Sequence, residues 1–197
     1  MLRHLPFVYT FALLFSLGAS PLRALENVET QIQQAQSAVL GFIEKEKRGG
    51  STNDSFLKLD DVKGSSTDSA HQGQITVLFS RNAIVGGASA TTPGKAAPSL
   101  YYLVIPTDKA LPILQQAAAS GRPFQRAEIF FRTAVQGEQK EYGVDTLEDV
   151  RVVCFLRTAT SSPSYPDVVV IGLSFAKATW AQGTTKAGRD FSGNKNY

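Results

Sequence analysis

Alternation of apolar and polar residues runs through most of this sequence from Phe56 onward and constrains its fold more than any other feature. In three segments every second residue is apolar or small, so one face of an extended chain is suited to a core. These sets are Ala127, Ile129, Phe131, Thr133 and Val135; Val150, Val152, Cys154 and Leu156; and Val169, Ile171, Leu173 and Phe175. Short polar turns such as QGEQ and TSSPSYP separate them. The pattern predicts half-buried β-strands arranged as a barrel or a sandwich.

Two segments have apolar residues at helical spacing or helix end signals instead of alternation, and they predict helices. Residues 25–50 carry an apolar stripe at spacings of three and four and end at two glycines. The stripe consists of Leu25, Val28, Ile32, Ala35, Val39 and Phe42. We expect it to dock on the protein's own domain rather than on another subunit, because two heptads are too short for a coiled coil. In LPILQQAAASG, Pro112 suits a first turn and Gly121 suits a helix end. The side chains expected to face the sheet are Ile113, Leu114, Ala117 and Ala118.

The first 24 residues have the layout of a secretory signal peptide. Arg3 and His4 precede an apolar run of 11 residues, and a small residue stands before the cut that we expect after Ala24. The run is well short of the roughly 20 apolar residues that a membrane-spanning helix needs. We therefore expect an exported protein, periplasmic or secreted, with no stable membrane span.

Composition and charge exclude several classes of function. The net charge is +3, and basic residues form no stripe interleaved with aromatic residues, so no nucleic-acid partner is expected. Cys154 and, after cleavage, a single histidine are too few for the usual zinc sites. The sequence has no glycine-rich phosphate-binding motif. We expect neither a metal nor a cofactor, and Cys154 is interpreted as a buried apolar residue of a strand.

Ser66, Asp68 and His71 are the one set of residues with the types of a catalytic triad. The members of a triad normally come from separate elements of a rigid scaffold, whereas these lie within one loop. We expect them to make local hydrogen bonds to the backbone, and we do not expect an enzyme. Other carboxylates are predicted in turns or on strand exteriors as solvated charges, namely Asp60, Asp61, Asp145, Glu148 and Asp149.

The segment FLKLDDVKGSSTDSAHQGQITVL, residues 56–78, places a long polar stretch between two apolar runs. It closely resembles the start of the haemolysin-coregulated protein (Hcp) family, the tube protein of type VI secretion. The matching residues are Phe56, Leu57, Lys58, Leu59, Asp60, Val62, Lys63, Gly64, Ser66, Thr67, Asp68, His71, Ile75, Val77 and Leu78. The helix near Pro112, a hairpin with Tyr142, and a last strand ending at Trp180 continue the similarity in order.

The resemblance implies both a fold and a function. Hcp proteins form a β-barrel with a helix on its flank, and six copies form a ring with a wide pore. The rings stack into an expelled tube that carries effectors inside and a spike protein at its tip. The polar loop then belongs to contacts between subunits and between rings. The interface residues so implied are Lys58, Asp60, Lys63, Ser66, Thr67, Asp68 and His71. Changing Lys63, Asp68 or His71 is expected to weaken assembly while the monomer still folds.

The signal peptide and the added helix distinguish this chain from typical members of the family. The expected organisation is a signal peptide at 1–24, an added helix at 25–50, an Hcp-like β-barrel at 51–182 and a disordered tail at 183–197. Two functions stay open. One is a structural, non-catalytic ring-former. The other is a monomeric exported barrel that binds a protein or small ligand, with the added helix covering the surface used elsewhere for assembly.

Overall fold

The computed structural model describes residues 53–85, 97–158 and 167–196, together with single positions between 30 and 44. The predicted mainly β fold is confirmed within this part of the chain. The strands are β1 (Asp54–Leu59), β2 (Ile75–Val77), β3 (Phe79–Arg81), β4 (Ile84–Val85), β5 (Ala97–Pro98), β6 (Tyr101–Pro106), β7 (Pro123–Val135), β8 (Glu138–Thr158), β9 (Val168–Ser174), β10 (Lys177–Gln182), β11 (Thr185–Asp190) and β12 (Lys195–Asn196). Helix α1 spans Leu111–Ser120. The proposed signal peptide, residues 86–96 and the TSSPSYP turn lie outside the described residues.

The strands close into an antiparallel barrel. β1 pairs with β2 and β7, β7 pairs with β8, β8 with β9, β9 with β6, and β6 with β3. Only Leu78 separates β2 from β3, and its N–H donates to the carbonyl of Val104 in β6 at 2.8 Å. The continuous β2–β3 segment therefore joins the two ends of the sheet.

Strand β8 is shared between two neighbours. It is 21 residues long and pairs with β7 over residues 138–151. Its first half also pairs with β10, and its second half pairs with β9 instead. The meander β10–β11–β12 therefore extends from the side of the barrel as a flap.

The main core lies inside the barrel. Alternation is confirmed in β9, where Val169, Ile171, Leu173 and the following Phe175 all face this core. It fails in β8, because a bulge shifts the register between Val152 and Cys154. Val150 and Val152 face the barrel interior, whereas Cys154 and Leu156 pack on the opposite face. The prediction of one continuous face across these four residues is wrong for that reason.

Helix α1 closes the interior from one flank. It ends at Gly121, whose φ of 68° is the left-handed conformation that suits glycine, as predicted. Leu114 and Ala117 are buried against the core, and Ala118 packs beside them. Ile113 is 36% exposed, so its predicted place is wrong; Leu111 is buried instead.

A second apolar cluster lies on the outer face of β6 and β9. Tyr102, Val104, Val168 and Val170 are buried there together with Ala35 from the N-terminal segment. The described positions between 30 and 44 are helical. The helix is also held by hydrogen bonds from the Tyr102 hydroxyl to Gln34 at 3.1 Å and from Arg81 to Ser37 at 2.6 Å. At the described positions, docking of this helix on its own domain is confirmed.

The C-terminal residues described here are ordered, so the predicted disordered tail is wrong over residues 183–196. β11 pairs with β10 along its whole length, and β12 pairs with β11. Phe191 is 6% exposed and meets Phe175 and Trp180 edge-on. One aromatic anchor in a polar stretch therefore packs the flap against neighbouring aromatic rings. None of the helical residues that the structure describes forms a stretch long and apolar enough to cross a membrane.

Candidate functional site

The polar loop between β1 and β2 folds back on itself as a compact unit. The N–H of Gly64 donates to the carbonyl of Gly73 at 2.7 Å, and the N–H of Gly73 donates to Ser66 at 2.9 Å. The N–H of Ser66 donates to Gln74 at 3.0 Å. A Cβ on Gly64 would lie 2.2 Å from the carbonyl oxygen of Gln74, so this close approach requires glycine. The loop thus satisfies much of its own backbone.

The carboxylate of Asp68 is the centre of this unit. Its Oδ1 accepts the N–H groups of Ala70 at 2.9 Å and His71 at 3.1 Å. The guanidinium of Arg132 binds both oxygens, at 3.0 Å to Oδ1 and 2.7 Å to Oδ2. The hydrogen bond from Arg132 is the largest cause that lowers the pKa of Asp68 from its ordinary value of 3.8. A bidentate, charge-assisted pair therefore fastens the loop to β7.

Arg132 lies on the outward face of β7, yet it is only 6% exposed. Its Nη2 also donates to Asp54 at 3.3 Å, and its guanidinium lies 4.7 Å from the ring centre of Phe56. The hydrogen bond to Asp68 is the main cause that raises the pKa of Arg132. The buried Nε has no hydrogen-bond partner among the residues described. The loop covers the Arg132 side chain, and the Arg132 guanidinium binds the loop through Asp68.

His71 packs under the loop as an apolar ring with one polar contact. It is 4% exposed and stacks on Phe56 with 4.4 Å between ring centres and 8° between planes. The ring of Phe130 lies 5.0 Å away. The Nδ1 of His71 lies 3.1 Å from Oε1 of Gln74, which accepts the hydrogen bond. The side chain anchors the loop to the outer face of β1 and β7.

This arrangement does not assemble the triad that the residue types suggest. The hydroxyl oxygen of Ser66 accepts the backbone N–H of Asp68 at 3.2 Å. The Asp68 carboxylate binds Arg132 and backbone groups, and the imidazole of His71 is bonded to Gln74. The predicted local hydrogen bonds to the backbone are therefore present.

Asp108 forms a second link, between the loop and helix α1. Its Oδ2 accepts the N–H of Ser65 at 2.8 Å, and its Oδ1 accepts the N–H of Ala110 at 2.8 Å. The hydroxyl oxygen of Ser65 in turn accepts the N–H of Lys109 at 3.1 Å. Asp108 is 7% exposed. Sequence reasoning missed this residue, although aspartates commonly accept the backbone N–H two residues further on in turns.

The predicted interface residues divide into three groups. Ser66, Asp68 and His71 are used within the loop, as described above. Lys58 and Asp60 lie at its entry, where Lys58 pairs with Glu128 at 3.0 Å. Lys63 and Thr67 are exposed, and their side chains make no hydrogen bond or ion pair with other residues that the structure describes. Among the predicted interface residues of the loop, Lys63 and Thr67 therefore have side chains that are available on its outward surface.

Asp145 contradicts its predicted place as a solvated charge. Its Oδ2 accepts the hydroxyl of Tyr101 at 2.8 Å, and it borders a groove of about 470 Å³ beside the flap. Burial raises the pKa of Asp145, and burial together with this charge raises the pKa of the Tyr101 hydroxyl well above its usual range. The alternation in this part of β8 gave no sign of this arrangement.

No cluster of three or more metal-ligating side chains occurs in the part of the chain that the structure describes. Cys154 is half-buried, and burial raises the pKa of its thiol. A thiol in such surroundings is a poor nucleophile at neutral pH.

Comparison with known proteins decides the family. Residues 56–182, which include the loop, helix α1 and all but the last two strands, match the family described as "Type VI secretion system effector, Hcp". The chain belongs to the Hcp family. The resemblance predicted from the loop and from the order of elements is confirmed, and the family is that of the type VI secretion tube protein.

Solved structures agree with this assignment. The crystal structure of Hcp1 from Salmonella typhimurium is 27% identical with a TM-score of 0.67, and the match covers 74% of this chain and 99% of that one. Hcp2 from the same organism is 26% identical with a TM-score of 0.58, over 72% and 98% of the two chains. A type VI secretion system effector from Yersinia pestis, 22% identical with a TM-score of 0.59 over 70% and 99%, shows the same fold. No curated protein matches the chain significantly.

Proposed function

We propose that this chain is a structural, non-catalytic subunit that assembles into hexameric rings. The rings stack into a type VI secretion tube that encloses effectors and carries a spike protein at its tip. The observation that carries the proposal is that this member of the Hcp family holds its polar loop in place by contacts within one subunit. Lys63 and Thr67 of that loop are turned outward. The interface assignment for Lys58, Asp60, Ser66, Asp68 and His71 belongs to the same proposal.

A rigid loop is suited to repeated contact between identical subunits. A closed ring uses one head-to-tail interface many times, so a loop that is already ordered lowers the entropy lost at each contact. The Asp68–Arg132 pair and the Asp108 link supply that order before any neighbour binds. Asp68 and His71 would then act on assembly through the shape of the loop, and changing either is expected to weaken assembly while the monomer still folds.

We further propose that a signal peptide directs export of the chain and is cleaved after Ala24. The mature protein then works in the periplasm or outside the cell. The support is the order of charged, apolar and small residues in positions 1–24. Mass spectrometry of the protein recovered from the periplasmic fraction tests this. A mature N-terminus at residue 25 is expected, and an intact N-terminus on protein found only in the cytoplasm would refute it.

One observation favours the second function, a monomeric exported binding module. The N-terminal helix covers the outer face of β6 and β9, where Ala35 is completely buried among Tyr102, Val104 and Val170. If neighbouring subunits require that face, the helix blocks assembly. The mass of the protein in solution separates the two functions.

The deciding experiment is light scattering after size exclusion on residues 25–197, followed by negative-stain imaging. Six times the monomer mass with ring views is expected. Lys63→Glu should lower the mass, whereas Lys186→Glu, the same charge change on the exposed strand β11, should leave it unchanged. A monomer at every concentration would reject the ring and favour the binding module.

A further inference from the structure

A groove beside the flap combines aromatic walls with a carboxylate to which the described residues offer no cationic partner. It is lined by Phe131 of β7, by Tyr142 and Asp145 of β8, and by Trp180 of β10. Its volume of about 470 Å³ lies in the range of ligand pockets in proteins. It is separate from the polar loop, which covers the other face of β7. None of the assembly contacts proposed above uses it.

The charge at the base of this groove is only partly compensated. Within the described part of the chain, the Asp145 carboxylate has one hydrogen-bond partner, the Tyr101 hydroxyl at 2.8 Å, and no ion pair. Carboxylates removed from water are normally paired with a cation, because desolvation disfavours the charged form. The raised pKa of Asp145 agrees with a site that lacks such a partner.

The walls are of a kind that favours a cation over a neutral group. The rings of Phe131 and Tyr142 lie 6.1 Å apart with 32° between planes, and Tyr142 is 39% exposed at the mouth. Trp180 also lines the groove, and its ring meets that of Phe191 edge-on with 6.4 Å between ring centres. Aromatic faces attract ammonium and guanidinium groups through the ring quadrupole. Gly143 also lines the groove, and a Cβ there would lie 3.1 Å from the carbonyl oxygen of Ala181.

We propose that this groove binds a lysine or arginine side chain presented by a partner protein. The aliphatic stem packs along Trp180 and Phe131, and the cationic head reaches the free oxygen of Asp145. A carboxylate at the base repels acidic ligands, and an uncharged apolar ligand would leave that carboxylate desolvated. The complementary occupant is therefore a basic side chain. The inference is independent of ring formation.

Trp180 is the only tryptophan of the chain, so its emission reports on this groove. The experiment titrates residues 25–197 with N-acetyl-arginine amide and N-acetyl-lysine amide at fixed ionic strength. N-acetyl-norleucine amide is the neutral probe of similar shape. A saturable change of Trp180 emission is expected with the two cations and a much weaker change with norleucine.

Two variants assign the effect to the groove. Asp145→Asn keeps the shape and is expected to weaken cation binding about tenfold, which corresponds to about 1.4 kcal/mol. Asp149→Asn is the matched control, because it removes the same charge from a neighbouring position of β8 outside the groove. It should leave binding unchanged. Tyr142→Ala removes an exposed wall and should also weaken binding without disturbing the fold.

The proposal is overturned if norleucine amide binds as tightly as the cations, because the groove is then apolar only. It is equally overturned if no probe gives a saturable change, or if Asp145→Asn and Tyr142→Ala, both shown to be folded by circular dichroism, bind the cations like the parent. The mass measurement on rings is unaffected by any of these results, so the two proposals fail separately.

Discussion

Arg132 holds the loop through a bidentate ion pair with Asp68. Replacing it by glutamine leaves Asp68 without its cation and removes the group that covers Phe56. Because the guanidinium is buried, we expect the free energy of unfolding to fall by about 2 to 3 kcal/mol. Urea denaturation measures this value. Hydrogen exchange should also speed up at the amides of His71 and Gln74, which depend on the fold of the loop.

The matched control for this prediction is Arg126→Gln. Arg126 lies on the same strand and pairs with Glu128 at 2.8 Å, but it is half-exposed. An exposed ion pair contributes little, so a loss of less than about 0.5 kcal/mol is expected. Equal losses in the two variants would contradict the role assigned to Arg132.

The Asp68 carboxylate gives the protein a specific dependence on pH. Its pKa is lower in the folded chain than the ordinary 3.8, mainly through the hydrogen bond from Arg132. A carboxyl group whose pKa is lower in the folded than in the unfolded chain stabilises the fold at pH values above the unfolded pKa. This stability is lost as the pH falls from about 5 through the folded pKa. Stability measured between pH 7 and pH 3 should decline less steeply in Asp68→Asn, which starts lower at pH 7. Parallel curves for the two proteins would refute this.

The surroundings of these charged side chains could not be predicted from the sequence. Arg132 and Asp145 both occupy places in strands where charged residues usually meet solvent. The loop that buries Arg132 comes from a segment more than sixty residues away, and the partner of Asp145 comes from β6. Local alternation contains no information on such contacts, because it reports only the face of one strand. The pairing of Asp68 with Arg132 was therefore missed, whereas the local hydrogen bonds of Asp68 were foreseen.

At the scale of elements, a substitution can test whether the apolar stripe of the N-terminal helix holds the helix on the barrel. Ala35 is completely buried against Tyr102 and Val104, so a glutamate there places a charge in an apolar contact. We expect Ala35→Glu to release the helix and to cost about 2 kcal/mol or more. Hydrogen exchange over residues 30–44 and thermal unfolding measure the two effects.

The control is Gln33→Glu, which adds the same charge at an exposed position of the same helix. It should change stability by less than about 0.5 kcal/mol. A helix that stays protected in Ala35→Glu would mean that the hydrogen bonds from Tyr102 and Arg81 hold it without the apolar contact.

Elements were predictable where one physical rule governed them, and less so where two rules competed. β9 follows its alternation closely, and helix α1 follows its end signals, although Leu111 rather than Ile113 is buried. In β8 the bulge at Val153 lets one strand face two cores, which a strict period of two cannot represent. In the tail, polar composition predicted disorder, but pairing with β10 and burial of Phe191 outweigh it. A single aromatic residue among residues 183–196 is a weak signal without the sheet it joins.

At the scale of the whole molecule, the open question is whether the helix that covers β6 and β9 permits assembly. Ala35→Glu, once shown to release the helix, answers it when its mass in solution is compared with that of the parent and of Gln33→Glu. If rings form with the helix in place, all three proteins should have six times the monomer mass, because the contacts lie at the polar loop. Lys63→Glu should then lower the mass in either background.

If instead the parent is a monomer and only Ala35→Glu assembles, the helix blocks the interface, and the ring proposal holds only for the chain with its helix displaced. A larger mass with no ring views would be aggregation through the uncovered apolar face of β6 and β9, which is the expected behaviour of such a patch in water.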